Sequence, residues 1–223
     1  MTLDDALRLA RSELKKYPKA RALPGVREAQ AEAGRAGRAA GQLIVRLLPE
    51  LPSGERGRFV TEVLRESNRA ALDAAERMQR TRAAAIGEEN LGIVRGRFNQ
   101  KRAANLATYA ETMLDEREAA GETLTDEQRA AIVDTVENNA RIAVDDAERG
   151  LAEARYNMGR RAMIVRTASG RNTCEWCAAA AGEYEYGPTM DKELAFGRHS
   201  NCACLIEYYP GDGRIETVRN YRK

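Results

Sequence analysis

All four cysteines and the only histidine of the 223-residue chain fall in one short stretch near its end. They arrive as two pairs. The first is Cys174-x2-Cys177, in "TCEWC"; the second is His199-x2-Cys202, in "HSNC", with Cys204 two residues further on. A Cys-x2-Cys turn points two thiolates at one ion, and the free N–H groups of the turn can donate to the sulfurs. His-x2-Cys repeats the arrangement with an imidazole. Together the pairs complete a closed tetrahedral shell of three thiolates and one imidazole, the donor set of structural zinc. The spacing predicts a zinc ion held by Cys174, Cys177, His199 and Cys202. Cys204 stays open as a spare, a packed thiol or the true fourth ligand. On a strand it would share a face with Cys202.

The competing use of these cysteines is a disulfide or a set of free thiols. The first residues, "MTLDDALRLA", lack a basic start followed by an apolar core, so no export signal is visible. The expected setting is a reducing cytoplasm, where clustered cysteines serve metal or redox chemistry more often than disulfides. Catalytic uses fit poorly. A zinc deaminase places His-x-Glu upstream of Pro-Cys-x-x-Cys, but here the histidine lies downstream and Thr173 replaces the proline. A thioredoxin-like site wants a surrounding β-α-β pattern, which is missing. There is no phosphate-binding glycine loop and no His-Glu-x-x-His. The expectation is a protein that is not an enzyme.

The elements that must position these ligands are of two kinds. Residues 2 to about 162 read as almost continuous helix. Thr2 caps a first helix with Leu3, Ala6, Leu7, Ala10 and Leu14 on one face, broken by Pro18 and Pro24-Gly25. A second helix, from about 26 to 48, is rich in Ala and Gly, which permits close helix approach but lowers intrinsic helix stability. After Pro49 and Pro52, Ser53 is the expected cap of a third helix carrying Phe59, Val60, Val63, Leu64, Leu72, Ala75 and Met78. Gly87 and Asn90 mark a break, and a fourth helix is expected from about 91 to 120. "TDEQ" then reads as a capping box, in which Thr125 and Gln128 cap one another's backbone, opening a helix that runs towards Met158. Beyond it the character changes. "AMIVRTA", "EYEY" and "CLIEYY" are strand-like, and "PGDG" is a turn. The fold class expected is mainly α: an elongated helical body over residues 1–162, followed by a zinc-binding α+β unit over 163–223. That last unit is too small to hold much core of its own and needs a staple.

Composition narrows the function classes. A formal net charge of +2 argues against a protein that coats nucleic acid. The best apolar run, "QLIVRLLPEL", is interrupted by Arg46 and Pro49, whereas a membrane span needs about 20 apolar residues. A basic stripe can still be drawn through Arg77, Arg80, Arg82, Arg95, Arg97, Lys101 and Arg102, diluted by Glu76, Glu88 and Glu89. It leaves zinc-dependent DNA binding as the alternative function.

The segment "RTASGRNTCEWCAAAAGEYEYG" followed by "RHSNCACLIEYYPGDG" resembles the C-terminal part of tailed-phage minor head proteins, the Mu F-like head-morphogenesis group. The matching elements are Thr173 with Cys174 and Cys177, Gly182 with Tyr184 and Tyr186, and His199 with Cys202 and Cys204. Ser200 and Ala203 stand where family members often carry Pro and Arg. The match covers roughly the last quarter of the chain; the preceding body agrees only in being helix-rich. The resemblance implies a virion component present in a few copies and made in the host cytoplasm during assembly. Its place would be the capsid interior near the portal. Its partners would be the portal protein, the major capsid protein, or both, with packaged DNA close by.

Overall fold

The computed structural model describes residues 1–17, 19, 25–86, 93–94, 96–168, 173–199, 202 and 204–210. The expected features at Pro18, Pro24, Gly87, Asn90, Arg95, Ser200 and Ala203, and the turn after Pro210, lie outside the described residues. The chain is mainly helical. Helices α1 (Leu3–Lys15), α2 (Val26–Leu47), α3 (Ser53–Ile86), α4 (Gln100–Ala119) and α5 (Asp126–Asn157) precede the strand β1 (Ala162–Thr167). Then follow α6 (Glu175–Ala179), β2 (Gly182–Glu185), α7 (Lys192–Phe196) and β3 (Leu205–Pro210). No helix among the described residues is long and apolar enough to cross a membrane.

The helix starts follow local chemistry. Thr2 Oγ1 accepts from the N–H of Asp5 at 3.2 Å, and Leu3, Ala6, Leu7 and Ala10 are buried behind it. The capping box of α5 is formed on both sides: Gln128 N–H donates to Thr125 Oγ1 at 3.3 Å, and Thr125 N–H donates to Gln128 Oε1 at 2.9 Å. The fourth helix starts later than its apolar pattern predicts. Residues 93–94 and 96–99 are not helical, and α4 opens at Gln100, where Asn99 accepts from Arg102 N–H at 3.0 Å. In that stretch the N–H of Val94 donates to the Gln79 side-chain carbonyl at 2.9 Å. Apolar spacing does not register such a side-chain acceptor. Tyr109, whose place in the apolar spacing of this helix puts it on the core face, is exposed.

The chain packs as two compact units, which cut across the division at residue 162. The first comprises Met1–Lys19, Ala31–Ala71 and Arg97–Arg141. Its core joins Leu3 and Leu7 to Leu43, Ile44 and Leu48, to Phe59, Val60 and Leu64, and to Leu106, Leu114, Ile132 and Val136. Within it α2 and α5 approach closely at Gly37 and Gly41. A Cβ added at either glycine would stand 2.7 Å from a backbone Cα of α5, that of Glu137 or Val133. The close approach permitted by the small residues of the second helix is therefore realised.

The second unit comprises Ala20–Gln30, Leu72–Gly96 and Ile142–Lys223. It gathers the sheet together with the last part of α3 and the second half of α5. The sheet order is β2-β1-β3, antiparallel throughout. Ile164 faces Tyr184 on one side and Tyr208 on the other. Ala162, Ile164, Ile206 and Tyr208 pack with Leu151, Ala152, Tyr186 and Ala195. The central strand ends at Thr167, opposite Leu205, and Arg166 lies opposite both Gly182 and Ile206. Cys174 and Cys177 follow β1 and precede β2, while His199, Cys202 and Cys204 precede β3. Antiparallel pairing thus delivers both ligand pairs to one end of the sheet.

Candidate metal centre

Cys174 is the N-cap of α6, and its Sγ accepts from the N–H of Cys177 at 3.3 Å. This is the sulfur-capped turn that the Cys-x2-Cys spacing implies. It leaves Cys174 exposed and turns Cys177 inward. His199 follows α7, whose start is fixed by Asp191 accepting from Glu193 and Leu194 N–H at 2.9 and 3.0 Å. Its Nε2 lies 3.2 Å from Cys174 Sγ and 2.9 Å from Cys177 Sγ. Cys202 N–H donates to His199 O at 3.3 Å, closing the second turn. Cys177 Sγ and Cys202 Sγ are 3.7 Å apart.

The donors form two overlapping groups. Cys174, Cys177 and His199 make one, and Cys177, Cys202 and Cys204 the other; within each, all ligand atoms lie within 4.8 Å of one another. Cys177 belongs to both. All four cysteines are free thiols. The structure thus brings together every residue of the sequence-derived set and adds Cys204 to the same cluster. The strand argument for Cys202 and Cys204 does not apply, because β3 begins only at Leu205; both residues are nevertheless buried. Two sulfurs on one tetrahedral zinc, each about 2.3 Å from the ion, stand about 3.8 Å apart. The separation of Cys177 and Cys202 fits that edge. The cluster is compatible with a metal ion.

Its electrostatics differ from sulfur to sulfur. Burial pushes the Cys177 thiol well above its ordinary value, and hydrogen bonding with the neighbouring cysteines adds to this. Burial also works against the Cys204 thiolate. There it is outweighed by hydrogen bonds with Cys177 and Cys202 and by the Arg166 guanidinium, so Cys204 lies below its ordinary value.

Several charged residues that hold the cluster were not singled out by spacing. Arg198 donates from Nη1 to Cys202 O at 3.0 Å and from Nη2 to Cys204 O at 2.7 Å. Its Nε and Nη2 also pair with both carboxylate oxygens of Asp145 on α5, and Asp145 accepts from Gln30 at 2.6 Å. Burial works to lower Arg198, yet Asp145, Cys202 and Cys204 hold it above its ordinary value. One turn further along α5, Glu148 Oε2 accepts from Arg82 at 2.6 Å and from Tyr208 N–H at 2.7 Å. Arg82 in turn donates to Tyr208 O. Arg82, drawn above into a basic stripe, is therefore spent inside the unit, and Arg80 pairs with Glu76 at 2.7 Å. A signal for these residues exists in the sequence. Asp145 and Glu148 interrupt the apolar positions between Val144 and Leu151, and Arg166 shares a strand face with Ala162 and Ile164.

Comparison with protein-family models, with curated proteins and with solved structures finds no match for the chain.

Proposed function

We propose that the chain is a structural virion component, a minor head protein of a tailed phage, and that its Cys/His cluster is a structural zinc module rather than a catalytic centre. The observation that carries the zinc reading is the convergence of two sequence-distant ligand pairs on Cys177. The donors are soft thiols and an imidazole, for which zinc is the natural partner, and three of the four sulfurs are buried. A shell already filled by protein donors leaves no position for a substrate. The virion reading rests on the resemblance of the same segment to minor head proteins. Its partners would be the portal or the major capsid protein, on the inner side of the head.

The two parts are tested separately. Elemental analysis of protein purified under reducing conditions is expected to give one zinc per chain; no stoichiometric metal would sink the module. Mass spectrometry of purified particles and assembling heads is expected to find the protein in both. Its absence from both sinks the virion reading. With Cys174 and Cys177 replaced by Ser in the phage genome, heads are expected to lack the protein and to lose infectivity.

A further inference from the structure

Trp176, the only tryptophan of the chain, is 37% exposed, yet it is held in place. The buried Arg166 guanidinium sits over its ring, 4.7 Å from the centroid. The same guanidinium donates to Leu194 O and Gly197 O at 3.0 and 2.7 Å, so Trp176 and the backbone at Leu194 rest on one arginine. A Cβ added at Gly197 would stand 3.1 Å from the indole. Leu194 is 36% exposed. Each of these two apolar side chains follows an exposed glutamate, Glu175 and Glu193. Neither glutamate forms an ion pair among the described residues. A fixed, half-exposed indole beside a leucine and two free carboxylates fits a partner that brings positive charge on apolar stems, as arginine does.

The chain carries that complement itself. From Ala33 to Leu47, the exposed residues of α2 are Arg35, Arg38, Gln42 and Arg46. Steps of three and four residues put them in one line about 16 Å long, and the stretch contains no acidic residue. Its own chain neutralises this line only in part. Arg38 shares Glu137 with Arg141, at 2.6 and 2.5 Å. Arg46 feels Glu13, which is paired with Lys16 at 2.8 Å. Arg35 forms no ion pair among the described residues. The acidic residues around the end of α4 are already matched: Asp115 and Glu118 pair with Arg56, and Glu122 with Arg117. We propose that the chain self-associates, the arginine line on α2 of one copy docking on Trp176, Leu194, Glu175 and Glu193 of a second copy. The arginine stems cover the indole and the leucine, and their guanidinium groups reach the two carboxylates. The inference rests on neither the zinc nor the virion reading.

The test uses the full chain. Its mass is followed by sedimentation over a wide range of concentration, at low and at high salt, together with the emission of Trp176. At low salt the mass should rise with concentration, and the emission should shift to the blue as the contact takes the indole out of water. High salt should reverse both changes. Arg35→Glu with Arg46→Glu, on the exposed side of a helix, should weaken association about tenfold or more. Glu175→Arg with Glu193→Arg should do the same from the other side. A mixture of the two double variants should associate although neither does alone, because each then meets the opposite charge. A folding defect would not produce that rescue. A chain that stays monomeric throughout overturns the proposal, as does native association of the α2 variant, or a rise in mass that leaves the emission of Trp176 unchanged. Should the glutamate variant fail to fold, the α2 variant decides: loss of both the mass increase and the blue shift supports the contact, and retention of either refutes it. A monomeric chain whose salt-dependent DNA binding is lost in the α2 variant would assign the arginine line to nucleic acid and refute self-association.

Discussion

Asp145 and Arg198 form a bidentate salt bridge almost entirely out of water, with side chains 3% and 1% exposed. The same guanidinium holds the carbonyls of Cys202 and Cys204. The second ligand loop is thus fastened to α5 by one ion pair. Removing one partner of such a pair leaves an uncompensated buried charge, which costs about 3–5 kcal/mol. Asp145→Ala is expected to lower the urea midpoint accordingly and to weaken metal retention, since the loop loses its anchor. A variant with native stability would show that Arg198 finds another partner.

The contact of α2 with α5 is tested by its glycines. Ala is a better helix former than Gly by roughly 1 kcal/mol, so a glycine in an open helix should gain from the change. At Gly37 and Gly41 the new methyl would meet backbone, which cannot rotate aside. Overpacking of this kind costs typically about 1–3 kcal/mol. Gly41→Ala should therefore destabilise despite its better propensity. Gly54→Ala, where nothing lies within 4 Å of the new Cβ, should not. Equal effects at the two sites in thermal unfolding would contradict the close approach.

Chelation is expected to act unevenly. Structural zinc in finger peptides supplies about 10–16 kcal/mol of apparent binding energy, enough to decide whether a three-stranded sheet with few apolar residues stays folded. Amide exchange in β1, β2 and β3 should accelerate once the metal is removed. The part of α5 around Asp145 and Glu148 should lose some protection too, because both carboxylates hold residues of the cysteine segment. The first unit has its own apolar core and should stay protected. Most of the helical circular dichroism would then survive. Cooperative loss of the entire helix signal would show that the chain does not divide energetically in this way.

The legible parts of the fold are those governed by local rules. Thr2, Thr125 and Gln128 cap as their side-chain chemistry requires, and the three short strand-like runs become the three strands. The ligand cluster was legible because a metal site needs particular atoms at particular spacing. What sequence spacing missed is non-local. The hydrogen bond from Val94 N–H to Gln79, ahead of the late start of α4, joins residues fifteen positions apart. The role of Arg198 depends on Asp145, 53 residues earlier. No periodicity encodes such partners. The trace they leave is a charged residue at a position whose neighbours are all buried.

Glu148 offers the sharpest case of that trace, and a test between structural and DNA-binding uses of Arg82. The carboxylate is fully buried and joins Arg82 of α3 to the N–H of Tyr208 at the edge strand β3. Arg82 also lies near the rings of Tyr208 and Tyr209, 6.0 and 5.9 Å from their centroids. Burial works against its charge, but Glu148 holds it above the ordinary arginine value. Glu148→Gln keeps the shape but removes the countercharge, stranding Arg82, and should cost about 3–5 kcal/mol. Replacing both residues by apolar groups of similar size, Arg82→Met with Glu148→Leu, should cost less than the single change, because no buried charge remains. If Arg82 instead served a nucleic-acid partner, Arg82→Met would leave stability unchanged and reduce the salt dependence of DNA binding. Urea unfolding of the three variants, with DNA titrations at two salt concentrations, separates these outcomes. We expect the stability effect, with no change in affinity for DNA.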